Sequence, residues 1–288
     1  MTDNDGSAVE IPFTEIDMEE MPFAFGGFGE VYKAKWQESN VAVKVFRVMN
    51  EKQKLPFMHE VNLIFFLNHP NIIDLFGVTN VSGWQLGIVM EMAEHGSLDC
   101  WIGKMERGQE IKIAMCVVNG LQYVHSQNVM HRDIKPKNIL MCGPKDDMIP
   151  KIADFGSAKL IEKVTQNTKV GEIYYMAPEI AQRRQYGFQA DIFSLAMTMF
   201  EMFNEQLIQE SPEEVKNFVE NVLRGQNAKI PKIHTVSLNL RNLIERGLNE
   251  NPDTRPTLPE YLQGKNIIYS FDENMPVNYC FSISLRRY

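Results

Sequence analysis

Eight consecutive residues, His131-Arg132-Asp133-Ile134-Lys135-Pro136-Lys137-Asn138, set an acid, fixed cations and an amide in an order that a solvated charge run does not need. Asp133 is suited to take a proton from an attacking hydroxyl, and Lys135 to steady an anionic group in transfer. Asn138 offers an amide oxygen, and sixteen residues further on Asp154, in Asp154-Phe155-Gly156, adds a carboxylate. Those two suit Mg²⁺, a hard cation held by oxygen ligands and commonly shared with phosphate.

Two further segments point toward phosphate. In Phe25-Gly26-Gly27-Phe28-Gly29-Glu30-Val31 the glycines allow backbone N–H groups to close on phosphate oxygens without a Cβ in the way. A plain hairpin turn would use the same residues. Lys44 lies inside the apolar run Val41 to Phe46, which reads as a buried strand. A lysine there needs an anion, unless the strand is an edge and the ammonium points to water. Phe57, Glu60, Ile64 and Leu67 fall at helical spacing, which puts the Glu60 carboxylate in an apolar stripe and makes it a plausible partner for Lys44.

Positioning these groups takes two kinds of structure. From Met21 to Met92 the pattern is strand-rich, with the Gly-rich turn, Val41 to Phe46, one helix, then Ile72–Val78 and Leu86–Met92. Beyond Gly96 helical periodicity dominates. Ile111, Met115, Val118, Gln122 and His125 share a stripe, Ser211 and Glu214 form a capping box around Pro212 with Gly225 beyond, and another helix is expected from about Leu238 to Leu248. Residues 1–20 read as a mobile polar lead-in, while the alternation of Tyr279, Phe281, Ile283 and Leu285 is strand-like without an evident partner.

The chain has 288 residues and a formal net charge of −8, which argues against a general nucleic-acid or anionic-membrane binder. The longest apolar stretch, Ile192 to Phe203, is broken by Glu201 and is too short to span a bilayer. The four cysteines show no zinc spacing, and the acidic start (Asp3, Asp5, Glu10) shows no secretion-signal pattern, so a cytoplasmic location is expected.

The ordered set comprises the Gly-rich loop, Val41-Ala42-Val43-Lys44, Glu60, the segment from His131 to Asn138, Asp154-Phe155-Gly156 and Ala177-Pro178-Glu179. It resembles the eukaryotic protein kinases over about residues 21 to 264. The resemblance implies an α+β, two-lobed protein kinase fold: a small β-rich N-lobe with one helix (residues 21–94), a larger mostly helical C-lobe (95–265), and a tail of unknown role (266–288). It implies ATP and Mg²⁺ as cofactors. Lys44 would contact the α/β-phosphates and pair with Glu60, Asp133 would be the catalytic base beside Lys135, and Asn138 and Asp154 would hold Mg²⁺. Phe25, Gly26, Gly27, Phe28 and Gly29 would cover the phosphates. Val31, Ala42 and Leu140 would sandwich adenine, with Met90 gating the pocket behind it and the hinge Glu91-Met92-Ala93 bonding the base. Leu75, Ile64, Phe155 and His131 resemble the stack that aligns the lobes. Asp191 resembles the anchor of the catalytic loop, and Arg255 the partner of Glu179, for which a surface ion pair is the plainer alternative.

Lys135, two residues after Asp133, follows the pattern of Ser/Thr kinases, so the implied partners are protein substrates with Ser or Thr acceptors. Arg132 implies dependence on an anion in the activation loop, with Lys159 placed to help. Thr168 sits where the family's activating phosphate usually goes, Thr165 is the second choice, and an upstream kinase or trans-autophosphorylation would supply it. Three residues depart from the pattern. Ala24 replaces the first glycine of the loop, Glu172 stands where a threonine is usual, and Ala196 replaces a common glycine. Gly96-Ser97-Leu98-Asp99, His125-Ser126 and Leu248-Asn249-Glu250-Asn251-Pro252 are similar to the tyrosine-kinase-like group, with phrases similar to its Roco, or leucine-rich-repeat kinase, branch. The rival expectation is a pseudokinase acting as an interaction module, and a third is a small-molecule kinase on the same fold.

Overall fold

The computed structural model describes residues 9–26, 29–47, 61–62, 64–82, 85–160, 173–204, 212–224, 226, 230–231 and 236–263. Six strands form the first part: β1 (Asp17–Met18), β2 (Ala24–Gly26), β3 (Gly29–Trp36), β4 (Ser39–Arg47), β5 (Leu75–Ser82) and β6 (Gln85–Glu91). They make one antiparallel sheet of order β1-β3-β4-β6-β5, with β2 also on β3. Strand geometry sends alternate side chains to opposite faces. Val41, Val43 and Val45 of the central β4 therefore pack one way, into a core with Ala34 and Val89, leaving Ala42 and Lys44 on the other face. Residues 61, 62, 64 and 65 are helical, the described end of the helix expected around Glu60.

The lead-in expected over residues 1–20 is corrected for residues 9–18. Ile11 and Ile16 are buried in the same core as the β4 valines, Phe13 and Met18 pack against it, and β1 pairs with β3. Isolated apolar residues in an acidic stretch give no periodicity, so only the face they cover reveals them.

The second part is mostly helical: α1 (Arg107–Ser126), α2 (Pro178–Ala181), α3 (Gln189–Phe203), α4 (Pro212–Leu223), α5 (Leu238–Gly247) and α6 (Leu258–Gln263). Two short antiparallel pairs complete it: β7 (Val129–Met130) with β10 (Lys159–Leu160), and β8 (Ile139–Cys142) with β9 (Ile149–Ile152). Glu106 and Gln109 form a reciprocal capping box at the start of α1. Ser237 accepts from the Leu240 N–H to cap α5, close to the helix expected there. The helix α4 begins at Pro212 as its pattern predicts, whereas Ser211 and Gly225 lie outside the described residues. Nearly every residue of α3 is buried, so it is the pillar of this part and its apolar run is a core helix. No described helix is long and apolar enough to cross a membrane. Residues 266–288 also lie outside the described residues.

Glycine sets two close approaches. A Cβ on Gly120 of α1 would lie 2.7 Å from the Asn71 carbonyl oxygen, so the helix can sit against the segment that enters β5. A Cβ on Gly247 would lie 2.6 Å from Ala196 Cβ. The methyl that Ala196 adds to α3 is thus accommodated by a glycine on α5.

Candidate active site

The segment His131–Asn138 runs between β7 and β8 and is held from below by Asp191 in the first turn of α3. Asp191 Oδ2 accepts the His131 N–H at 2.9 Å and Oδ1 accepts the Arg132 N–H at 2.7 Å. His125 Nε2 reaches Oδ2 at 2.8 Å. Burial alone would raise the Asp191 pKa, but the hydrogen bond and charge of His125 and the backbone donors outweigh it and hold it below the usual range. This bracing supports Arg132 at φ 69°, a left-handed conformation that costs of order 1–3 kcal/mol for a residue with a side chain.

His131 is fully buried, with Nε2 3.0 Å from the Ala153 oxygen and Nδ1 3.3 Å from the Asp133 N–H. One ring nitrogen must donate and the other accept, which describes a neutral imidazole protonated on Nε2. Burial, which pushes its pKa down, favours the same form.

Asp133 is buried as well. Its Oδ2 accepts from Asn138 Nδ2 at 2.9 Å and from Lys135 Nζ at 3.0 Å, and Asn138 Nδ2 also bonds the Asp133 carbonyl at 2.8 Å. Asp133 Oδ1 is buried with no hydrogen-bond partner among the described residues. A buried acceptor left so costs about 1–3 kcal/mol, and native structures rarely keep one without a use. The Asn138 amide spends its N–H₂ on Asp133, so its oxygen is the atom it could offer a cation.

Lys44, on β4, is 8 % exposed and bonds Asp154 Oδ1 at 2.7 Å. The buried-strand reading of Lys44 therefore holds. Its expected partner Glu60 lies outside the described residues, and the link to Asp154 had not been foreseen. Burial would raise the Asp154 pKa, but the charge and hydrogen bond of Lys44 outweigh it and keep the carboxylate ionised. Asp154 is also left-handed, at φ 58°. The next residue, Phe155, is buried edge-on against His131, with ring centroids 4.7 Å apart. Ile64 and Phe155 belong to one large core, and Leu75 packs against that core.

On the sheet face that carries Lys44, the strand register sets Val31 beside Lys44 and Ala42 beside Met90. Leu140, Met90 and Ala93 pack together against Ile73, Cys142 and Ala153 at the junction of the two parts. Phe25, in the middle of β2, is exposed. Gly26 and Gly29 close the β2–β3 turn, and a Cβ on Gly29 would lie 2.3 Å from the Val45 oxygen. Gly27 and Phe28 lie outside the described residues. Phe23 escaped sequence reasoning. Its N–H bonds the Val31 carbonyl, and its ring lies 5.6 Å from Lys33 Nζ, on the strand opposite Ala42. Its place directly before Ala24 was the available signal.

The hinge carries a second unforeseen feature. Lys151 of β9, 8 % exposed, donates to Glu91 Oε2 at 2.6 Å and to Asp74 Oδ2 at 3.1 Å. Burial would lower its pKa, but the two carboxylates outweigh that and hold it above the usual lysine range. A lysine within Ile149-Pro150-Lys151-Ile152-Ala153 carries the same signal that singled out Lys44. At Cys142 burial, reinforced by the charge of Glu91 and only partly opposed by that of Lys151, pushes the thiol up to about 12.

Glu179 and Arg255 form a bidentate pair at 2.7 and 2.8 Å, with side chains 1 % and 0 % exposed. This is a buried ion pair, and the surface alternative is excluded. Arg132 Nη1 is 3.4 Å from the Tyr186 hydroxyl. Lys159 pairs with Met130 through its backbone, and Thr165, Thr168 and Glu172 lie outside the described residues.

The assembled donors fit a specific ion. One carboxylate (Asp154) and one amide oxygen (Asn138) make too small a set for a protein-caged metal, and no group of three or more His, Cys, Asp or Glu suited to a metal occurs among the described residues. They fit Mg²⁺, which keeps waters and takes its remaining ligands from phosphate.

A family model described as "Protein kinase domain" matches residues 22–267. The chain is 29% identical over 276 residues to the serine/threonine-protein kinase STY17 of Arabidopsis thaliana, covering 90% of this chain and 47% of that protein. It is 32% identical over 254 residues to serine/threonine-protein kinase 10 of Xenopus tropicalis, covering 83% and 26%. Against the RGS domain-containing serine/threonine-protein kinase A of Dictyostelium discoideum the identity is 28% over 276 residues, covering 93% and 24%. The chain thus spans less than half the length of each of these relatives.

Proposed function

The chain belongs to the protein kinase family, of the serine/threonine type, and from that premise we propose that it transfers the γ-phosphoryl group of ATP to Ser or Thr hydroxyls of protein substrates. The observation that carries the proposal is the buried, unpartnered Oδ1 of Asp133 beside Lys135. That oxygen is a proton acceptor kept ready for a hydroxyl brought by the substrate. Lys135, bonded to Oδ2, sets the carboxylate orientation and supplies positive charge where the phosphoryl group passes.

Asn138 and Asp154 would hold Mg²⁺, which when bound neutralises charge on the phosphates. Lys44 would divide its ammonium between Asp154 and the α/β-phosphates. Val31, Ala42, Met90, Leu140 and Phe23 would enclose the base, while the Glu91–Met92 backbone would bond its edge. Arg132 and Lys159 would recognise a phosphate on Thr168, or on Thr165, placed there by an upstream kinase or in trans by a second copy. The cysteine usage supports a cytoplasmic setting. No observation favours the interaction-module alternative, because Lys44, Asp133, Lys135, Asn138 and Asp154 are all present and those at the loop are bonded to one another.

Incubation with Mg²⁺, labelled ATP and a generic basic protein, beside an Asp154→Ala control, tests the reading. Label on Ser or Thr that disappears in the control is the expected result. Nucleotide binding without transfer, in protein carrying phosphate on its activation loop, would overturn it.

A further inference from the structure

The segment 9–18 touches both borders of the N-terminal sheet. At one border the Ile11 N–H donates to the Val78 carbonyl at 2.7 Å, and the Val78 N–H donates to the Val9 carbonyl at 2.9 Å, so Val9–Ile11 lies along the outer side of β5. At the other border Asp17 and Met18 pair with Lys35 and Ala34 of β3, and the Glu19 N–H bonds the Lys33 carbonyl. Between these ends the segment crosses one sheet face. Ile11 (2 % exposed) and Ile16 (6 %) are buried there on Val41, Val43 and Val45. Gly77 makes the approach possible, because a Cβ there would lie 2.4 Å from the Val9 oxygen and 3.0 Å from the Ile11 side chain.

The valines under this segment alternate with Ala42 and Lys44 along β4. The strand that presents Lys44 to the site is therefore clamped from behind by residues 9–18. Pairing at both borders also satisfies edge N–H and C=O groups that would otherwise let the sheet twist or slip. We propose that Ile11 and Ile16 are positioning residues for the nucleotide site: docking of segment 9–18 fixes the register and pitch of β4, and its release lowers ATP affinity by loosening Lys44. The inference rests on the ATP reading above and extends it to a segment that makes no contact with the site.

The test uses the full chain with Gly77→Ala, and separately with Ile11→Asp and Ile16→Asp together. Hydrogen exchange at the Ile11 and Val78 amides reports docking, and titration with a non-hydrolysable ATP analogue and Mg²⁺ reports the site. If release leaves the binding-competent form at about a tenth of the population, the apparent affinity falls about ten-fold. The expected result is loss of protection at both amides with that fall in affinity, while the helical part keeps its exchange protection. A wild-type peptide of residues 9–18 added to the aspartate variant should occupy the vacated valine face and restore affinity, and Ile11→Val should bind as wild type. Should the double variant fail to fold, Gly77→Ala carries the test alone. Lost amide protection with unchanged affinity overturns the proposal, as does full protection in Gly77→Ala. Wild type that fails to bind the analogue would instead sink the ATP reading, since the exchange measurement does not depend on nucleotide.

Discussion

Asp133 and Asp191 are both buried carboxylates, yet their surroundings give them opposite tasks. Asp191 spends both oxygens on the backbone donors of His131 and Arg132 and on His125, so it builds. Asp133 keeps one oxygen without a hydrogen-bond partner among the described residues, which is what the proposed role of proton acceptor requires. The sequence marks both residues, because the spacing from His131 to Asn138 is local. It does not show which oxygen is spent, since that depends on how a short loop is held by a helix some sixty positions away. The same distance hid the Lys44–Asp154 bond, which joins residues 110 positions apart. The Glu179–Arg255 pair makes a residue-scale prediction. Glu179→Gln leaves the buried guanidinium uncompensated and should cost about 3–5 kcal/mol in chemical denaturation. A cost near zero would show that the pair is solvated in solution.

Among the elements, the central strand and the central helix were the most legible. The run Val41 to Phe46 and the run Ile192 to Phe203 each declare burial, and each is buried on more than one side. The segment 9–18 was illegible for the opposite reason: two isoleucines among acids acquire meaning only from the valine face beneath them. Helix contacts at single atoms were equally hidden, as Ala196 and Gly247 show. Because a Cβ on Gly247 would meet Ala196 Cβ at 2.6 Å and the Tyr261 hydroxyl at 2.5 Å, Gly247→Ala should destabilise by about 1–3 kcal/mol through overpacking. Adding Ala196→Gly should recover part of that loss. A strictly additive pair in thermal melts would mean that the two positions do not share the space.

At the scale of the molecule, Lys151 joins the two parts: it comes from β9 and holds Asp74 and Glu91 at the entrance to β5 and the end of β6. Its raised pKa fixes a pH dependence. The pairing stabilises fully below the unfolded lysine pKa of about 10.4 and is lost as pH rises through the higher folded value. Wild type should therefore lose more stability than Lys151→Met between pH 10 and the alkaline limit of folding, a difference that paired melting curves would detect; parallel curves would remove Lys151 from the balance. The proposed transfer depends on a braced loop that holds Asp133 Oδ1 ready for a substrate hydroxyl. The decisive experiment measures phosphoryl transfer by Asp133→Asn beside its affinity for ATP and Mg²⁺. Nucleotide affinity should stay close to wild type while transfer slows by about 10²–10⁴-fold; transfer at the wild-type rate would rule out Asp133 as the proton acceptor.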